Sequence, residues 1–356
     1  MPAPPARHLK TDIARALPLL WVVTVFGLAL ILVSPKNFGL WDMYPVVQVD
    51  ALPAAWIVGL GLCSVATGFG FRRMSADSGP RRTAMYSVFV LLMCVVLLEV
   101  TLFARAGGFL RAGMANVASD RVDLTVLSFN ARGTGAPDIV EAVAHAEADV
   151  MLLVEVKEQV ATEVVERLRF RGSRNQVFTG TGSALGGAHE VAVIIPDRFG
   201  RYHETVSPAL AFGSLTVAPG EPASAESNFA VRTRPVLSAV HSISPLPGKT
   251  SSTAWKHQLR TAVGLCRHDS AIIGGDFNAS SAQISHVIGH DCLEASSHLG
   301  RGGVGTWPTA MPAPFGASID HQLANRNSWE PVGIRFMEIG SSDHRGIAVS
   351  YRHVRA

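Results

Sequence analysis

Several apolar runs in this sequence end on a polar side chain able to do chemistry. Asn130 closes VDLTVLSF, and Glu155 follows VMLLV. His241 closes PVLSAV, and Asp276 and Asn278 follow AIIG as GDFN. Asp320 and His321 close SIDH, and Asp343 and His344 stand in SSDHRG before the last apolar run. Carboxylate and amide oxygens suit a hard divalent ion such as Mg²⁺ or Mn²⁺. Imidazoles and amides supply donors for developing charge, and a carboxylate positions a water. Together these are the parts that metal-assisted hydrolysis of a phosphate ester needs. Signatures of a serine or cysteine nucleophile are absent, with no GxSxG and no CxxxxxR loop.

Taken singly, each residue has an ordinary alternative. Asn130 suits a turn, Glu155 a pair with Lys157, and His241 a satisfied core position. Asp276-Phe-Asn suits an Asx turn, and Asp343-His344 a capped turn. Jointly, those readings require a coincidence at every strand end, which is where α/β architectures assemble their sites.

The elements that must position these residues follow from patterning. Strands are expected over 122–129, 150–154, 190–195, 235–241, 271–274, 318–323 and 346–351. Helices are expected over 137–146, 159–168 and 255–266. Strands outnumber helices and the two are interleaved, which predicts sheets sandwiched between helices. Residues 105–121 read as a linker. Residues 214–230, rich in Ala, Ser, Pro and Glu, read as a surface loop.

Of the 356 residues, 48% are hydrophobic and 17% charged, and the long apolar runs all precede residue 105. Three of these, about 16–34, 51–71 and 83–104, reach the length of about 20 residues needed to cross a bilayer. The first is a poor signal peptide, because two further spans follow it. Arg7, Lys10 and Arg15 precede the first span, and Arg72, Arg73, Arg81 and Arg82 lie between the second and third. Lys36 alone lies between the first and second, beside Asp42 and Asp50. The positive-inside rule places the N-terminus in the cytoplasm and everything after residue 105 outside the plasma membrane. Glu99, the one acid in a span, sits near the outer end and reads as reaching the interface. A formal charge of +3 does not by itself imply nucleic-acid binding. Arg167, Arg169, Arg171 and Arg174 form a local basic cluster, read first as a solvated helix end.

Of four cysteines, Cys63 and Cys94 lie in apolar runs. Cys266 and Cys292 have no zinc-type spacing. An extracytoplasmic location permits a disulfide between them, and the sequence leaves that open.

The order Asn, Glu, His, GDFN, IDH, SDH, with TWP at 306–308, resembles the endonuclease/exonuclease/phosphatase superfamily over roughly residues 122–352. Its members include pancreatic deoxyribonuclease, abasic-site endonucleases, neutral sphingomyelinases and inositol polyphosphate 5-phosphatases. Within it the chain is most similar to bacterial membrane-anchored members. The resemblance implies a four-layered αββα sandwich, here behind three transmembrane helices, and hydrolysis of a phosphate ester. It implies a metal shell of Glu155, Asn130 and Asp343. It makes Asp276 the residue that orients or activates the attacking water, and Asn278 and His241 the donors to the phosphoryl oxygens. His344 becomes the catalytic histidine and Asp320 its carboxylate partner, with base and transition-state stabiliser both open for His344.

Departures bear on substrate. DNA-cleaving members carry an acid near the position of Asn130, where this chain has Ala131 and Arg132. They also carry a tyrosine in the middle strands, and here Tyr202 stands in no such context. Basic runs with interleaved aromatics are missing. The leading expectation is a membrane-anchored, extracytoplasmic phosphodiesterase or phosphatase whose partners are the bilayer and a lipid-linked or envelope phosphate. A surface nuclease acting on DNA and a non-catalytic binding module on the same fold are the alternatives.

Overall fold

The computed structural model describes residues 39–74, 79–110, 116–117, 121–182, 190–220 and 234–354, together with Leu20, Val23, Thr24, Phe26, Gly27 and Asn37. The chain divides into two compact units, Met1–Phe103 and Ala104–Ala356.

The first unit holds helices α1 (Val46–Ala51) and α2 (Pro53–Arg73) and most of α3 (Gly79–Arg105). Pro53 opens α2 at a position where its missing N–H costs no intrahelical bond. Pro53–Arg73 and Arg81–Arg105 are long and apolar enough to cross a membrane, yet only 17% of each apolar window is buried by protein. Leu62, Val65 and Phe69 of α2 and Leu97 of α3 are exposed. Their apolar surface is thus left largely uncovered by protein. Two such helices are described where the sequence predicts three. Most of the expected first span, 16–34, lies outside the described residues.

The second unit is an αββα sandwich. Its elements run β1 (Asn116–Val117), β2 (Leu124–Asn130), α4 (Ala136–Ala146), β3 (Val150–Val154), α5 (Glu158–Phe170), β4 (Asn175–Thr181), β5 (Glu190–Pro196), β6 (Tyr202–Glu204) and β7 (Gly213–Pro219). They continue as β8 (Val236–His241), α6 (Ser252–Gly264), β9 (Ala271–Asp276), α7 (Ser281–Ser285), β10 (Cys292–Glu294), α8 (Ala295–His298), β11 (Asp320–Asn325), β12 (Trp329–Glu338) and β13 (Arg345–His353). One sheet has the order β1-β12-β13-β2-β3-β5-β4, the other β10-β11-β9-β8-β7-β6.

Each sheet contains one parallel pair joined across a helix: β2 and β3 through α4, and β8 and β9 through α6. A parallel pair needs such a crossover and is covered on both faces, which is why VMLLV and AIIGGD are buried at every residue. Leu152, Val154, Ile272 and Ala239 pack between the sheets. Ile139 and Val143 of α4 and Val164 and Leu168 of α5 cover the outer face of the first sheet, against Leu127, Met151 and Ile194. Helix α6 buries Trp255, Leu259 and Val263, and its N-cap Ser251 accepts from the Ala254 N–H.

Part of the expected loop at 214–230 is instead the buried strand β7, antiparallel to β8. Its polar Thr216 is satisfied by Ser238 across the pair, Oγ to Oγ 2.9 Å, so a composition that suits a loop is absorbed by a strand. Residues 221–233 of that expectation lie outside the described residues. Strand β12, ten residues long, has no counterpart among the expected strands, because Pro331 and Gly333 break its alternation at a register shift.

Candidate active site

The carboxyl ends of the two parallel pairs converge. Asn130 ends β2, Glu155 follows β3, His241 ends β8 and Asp276 ends β9, with Asp276 directly opposite both His241 and Asp320 of β11. Two glycines permit this convergence. A Cβ on Gly274 would meet Ser128 Cβ at 2.8 Å, where the two sheets approach. Gly275 has φ +143°, and a Cβ there would meet the Val240 carbonyl oxygen at 2.1 Å.

Asn130 is fully buried at the centre. Its Nδ2 donates to Glu155 Oε1 at 3.1 Å and to Asp276 Oδ2 at 3.2 Å, and lies 3.5 Å from His344 Nε2. One amide thus joins a group of the first sheet to two carried by the second sheet and the loop before β13. Glu155 adopts φ 51°, a left-handed conformation that few non-glycine residues take, turning its carboxylate back over the strand end. Arg132, largely exposed, holds its Nε 3.9 Å from Glu155 Oε2. A cation therefore stands at the second position after Asn130, beside the Glu155 carboxylate. His241 Nε2 lies 3.6 Å from Asp276 Oδ2 and 3.8 Å from Glu155 Oε1, and its ring packs on Phe212 at 4.9 Å.

His344 Nδ1 hydrogen-bonds Asp320 Oδ2 at 2.9 Å, and its Nε2 faces Asp276 Oδ2 at 3.9 Å. Burial pushes the imidazole down, but the charge and hydrogen bond of Asp320, then Asp276 and Asp343, outweigh it and hold the group up at about 10. The carboxylates around it thus favour the protonated imidazole. Burial and the Asp320 charge push the Asp276 carboxyl up to about 7, against the lowering by His344, the Asn278 N–H and Asn130. Asn278, at φ 48°, donates its backbone N–H to Asp276 Oδ1 and its Nδ2 to the Ser242 carbonyl at 2.9 Å. Among the described residues, no partner takes its second amide proton or its amide oxygen.

Asp343 lies beside this group, its Oδ2 accepting from the Trp307 indole at 3.0 Å. The eight residues given a role from the sequence thus fall at one end of the sandwich, and the ninth polar residue of those runs, His321, turns away from it. Ligand atoms of Asp276, Asp320 and His344 lie within 4.8 Å of one another. No donor reaches Asp320 Oδ1, a buried carboxylate oxygen, among the described residues. This donor set, dominated by oxygen with one oxygen left unsatisfied, fits a hard divalent cation.

Sequence reasoning missed the supports. Ser342 Oγ donates to the Asn130 carbonyl at 2.7 Å and accepts from the His344 N–H. Thr306, fully buried, accepts on Oγ1 from the N–H groups of Ile319 and Asp320. His321, beside Asp320 in the sequence, faces away from the site: its Nδ1 meets Glu294 Oε1 at 3.2 Å, and its Nε2 meets the carbonyls of Ala279 and Ser318. The threonine of TWP was visible in the sequence. Nothing there pairs His321 with a glutamate 27 residues earlier.

Cys266 and Cys292 form a disulfide with Cα atoms 5.8 Å apart, closing a loop around GDFN.

The fold and this acid–imidazole cluster define a hydrolase of phosphoric ester bonds. Residues 127–344 match the model of the Endonuclease/Exonuclease/phosphatase family, and the chain belongs to that family. No curated protein matches the sequence. Among solved structures it is similar to a humanized D. rerio TDP2 bearing 14 mutations, at 16% identity and TM-score 0.45, over 64% of this chain and 98% of that one. It is also similar to a family member from Leptotrichia buccalis C-1013-b, at 13% identity and TM-score 0.46, over 64% and 99%. A third is ANGEL2, a 2',3'-cyclic phosphatase, at 11% identity and TM-score 0.43, over 68% and 98%.

Proposed function

We propose that this chain is a membrane-anchored, divalent-metal-dependent phosphoesterase that acts outside the cytoplasm on lipid-linked or envelope phosphate esters, in the manner of bacterial membrane-anchored members. The observation that carries the chemistry is the Asn130 amide held between Glu155 and Asp276 beside the His344–Asp320 pair. The two uncovered apolar helices support the anchor. The basic residues on the cytoplasmic side of the expected spans support the orientation. A disulfide in the catalytic unit suits an oxidising compartment.

Glu155, with Asn130 and Asp343, would hold the cation beside the Asp276, Asp320 and His344 group, whose unsatisfied Asp320 oxygen offers a further oxygen ligand. The bound ion supplies charge neutralisation at the phosphoryl oxygens and the leaving group. Asp276, raised toward neutrality, accepts a proton from the attacking water and aims it. His344, whose protonated form Asp320 favours, stabilises charge as it develops and can pass its proton to the leaving oxygen. His241 and the Asn278 amide donate to non-bridging oxygens. Arg132 at the mouth attracts the anionic substrate.

The test is hydrolysis of bis(p-nitrophenyl) phosphate and p-nitrophenyl phosphate by the full chain in detergent, with Mg²⁺, Mn²⁺ or EDTA. A lipid phosphate and duplex DNA run alongside. Turnover that needs metal and prefers the lipid ester supports the reading. Cleavage of duplex DNA that falls steeply with salt, with the lipid untouched, would replace it with a nuclease.

A further inference from the structure

Arg345 follows the catalytic histidine and opens β13, yet it is buried, with 2% of its surface exposed. Its guanidinium is fanned over backbone carbonyls of a single loop. Nη1 donates to Gly305 at 3.3 Å and Pro308 at 3.4 Å, and Nη2 to Thr309 at 3.1 Å and Met311 at 2.7 Å. Nε and Nη2 also reach Glu338 Oε1, which is opposite Arg345 in the β12–β13 ladder and itself mostly exposed. Arginine alone offers five donors in a fixed planar fork, so no other side chain can hold four carbonyls of one loop at once.

That loop reaches the site at both of the acidic residues that flank His344 in sequence or space, at the backbone of Asp320 and the side chain of Asp343. Thr306 Oγ1 accepts from the Asp320 N–H at 3.1 Å, and the Trp307 indole donates to Asp343 Oδ2 at 3.0 Å. The Thr309 N–H donates to the Asp343 carbonyl, and its hydroxyl to the Ser342 carbonyl. The indole ring lies 6.4 Å from the His344 ring.

We infer that Arg345 is a positioning residue for the reaction, fixing loop 305–311 so that Thr306 holds the Asp320 backbone and Trp307 the Asp343 carboxylate around His344. It touches no reacting atom and acts through the loop. The kinetic part of this inference rests on the phosphoesterase reading, and the spectroscopic part stands without it.

The test compares Arg345→Lys, Arg345→Gln and Glu338→Gln in the full chain. Arg345→Lys keeps the charge but loses the fork, and lowers kcat for bis(p-nitrophenyl) phosphate about 10-fold with KM within 3-fold. Arg345→Gln lowers kcat further, and the lysine variant is the partial rescue. Glu338→Gln leaves the fan on the carbonyls and keeps kcat within 3-fold. In a Trp307→Phe background, Arg345→Lys costs less than 3-fold more, because both act through one loop. With 5-fluorotryptophan, the ¹⁹F resonance of Trp307, assigned by its loss in Trp307→Phe, moves or broadens in Arg345→Lys and stays in place in Glu338→Gln. A folded Arg345→Lys with unchanged kcat and an unchanged Trp307 resonance overturns the inference, as do losses that multiply fully in the double variant. If the wild-type chain turns over no ester at all, the proposed function fails while the resonance still decides whether Arg345 sets the loop.

Discussion

Two buried histidine–carboxylate pairs sit in neighbouring elements and do different things. His344 meets Asp320 at 2.9 Å through Nδ1, and His321 meets Glu294 at 3.2 Å through Nδ1. Both imidazoles are pushed up by their carboxylate partners against the effect of burial. The difference lies in the second nitrogen. His321 spends Nε2 on the carbonyls of Ala279 and Ser318, 2.8 and 2.9 Å away. It thereby ties the loop after GDFN to the loop before Asp320. His344 keeps Nε2 turned toward Asn130 and Asp276, where the proposed reaction brings a substrate oxygen. Residue type, burial and carboxylate partner do not separate a working histidine from a fastening one, whereas the partner of the other nitrogen does.

The comparison is tested first by removing each imidazole. His344→Gln should lower kcat about 10³-fold, within the range expected for a lost acid–base group, and leave a cooperative unfolding transition. Glu155→Gln should lower turnover by about 10² or more and raise the Mg²⁺ concentration needed for half activity, because a second-site amide is a poor replacement for a carboxylate ligand. His321→Ala should instead lose about 3–5 kcal/mol of stability, read as a shifted denaturant midpoint, since it leaves Glu294 charged and buried. A stable His321→Ala with turnover as low as His344→Gln would erase the distinction.

Smaller effects sharpen it. Replacing Cys266 and Cys292 by serine should cost about 2–4 kcal/mol with little effect on kcat, as expected for opening a loop of moderate length. The pH dependence of stability should carry the signature of His344. Its folded-state value is raised from 6.5 to about 10, so its contribution is complete below about 6.5 and is lost as pH rises toward 10. A plot of unfolding free energy against pH should fall through that window in the wild-type chain and flatten in His344→Gln.

Much of the site was legible in the sequence because a polar residue ending a fully buried run has few other reasons to be there. Asn130, Glu155 and Asp276 each follow a run whose every residue is buried or nearly so. Strand Val150–Val154 is found at its expected bounds for the same reason. The supports were illegible because their partners are backbone atoms brought near only by folding. An arginine opening a strand reads as a surface residue until the four carbonyls of loop 305–311 close around it. Strand β7 was hidden by its alanine- and serine-rich setting, and β12 by Pro331 and Gly333. Most of the first apolar stretch read as a span lies outside the described residues, and two long apolar helices are seen among those described.

The amide of Asn130 has a mechanical consequence. It belongs to one layer of the sandwich and grips Asp276 in the other, just above the glycine contact between Gly274 and Ser128. Sliding one layer over the other by about 1 Å would stretch that bond past its useful range while leaving each strand ladder whole. The Asn130 end of the sandwich is therefore a slip gauge for the whole unit. Under hydrostatic pressure or mild denaturant, hydrolysis should stop while the sheets are still fully paired.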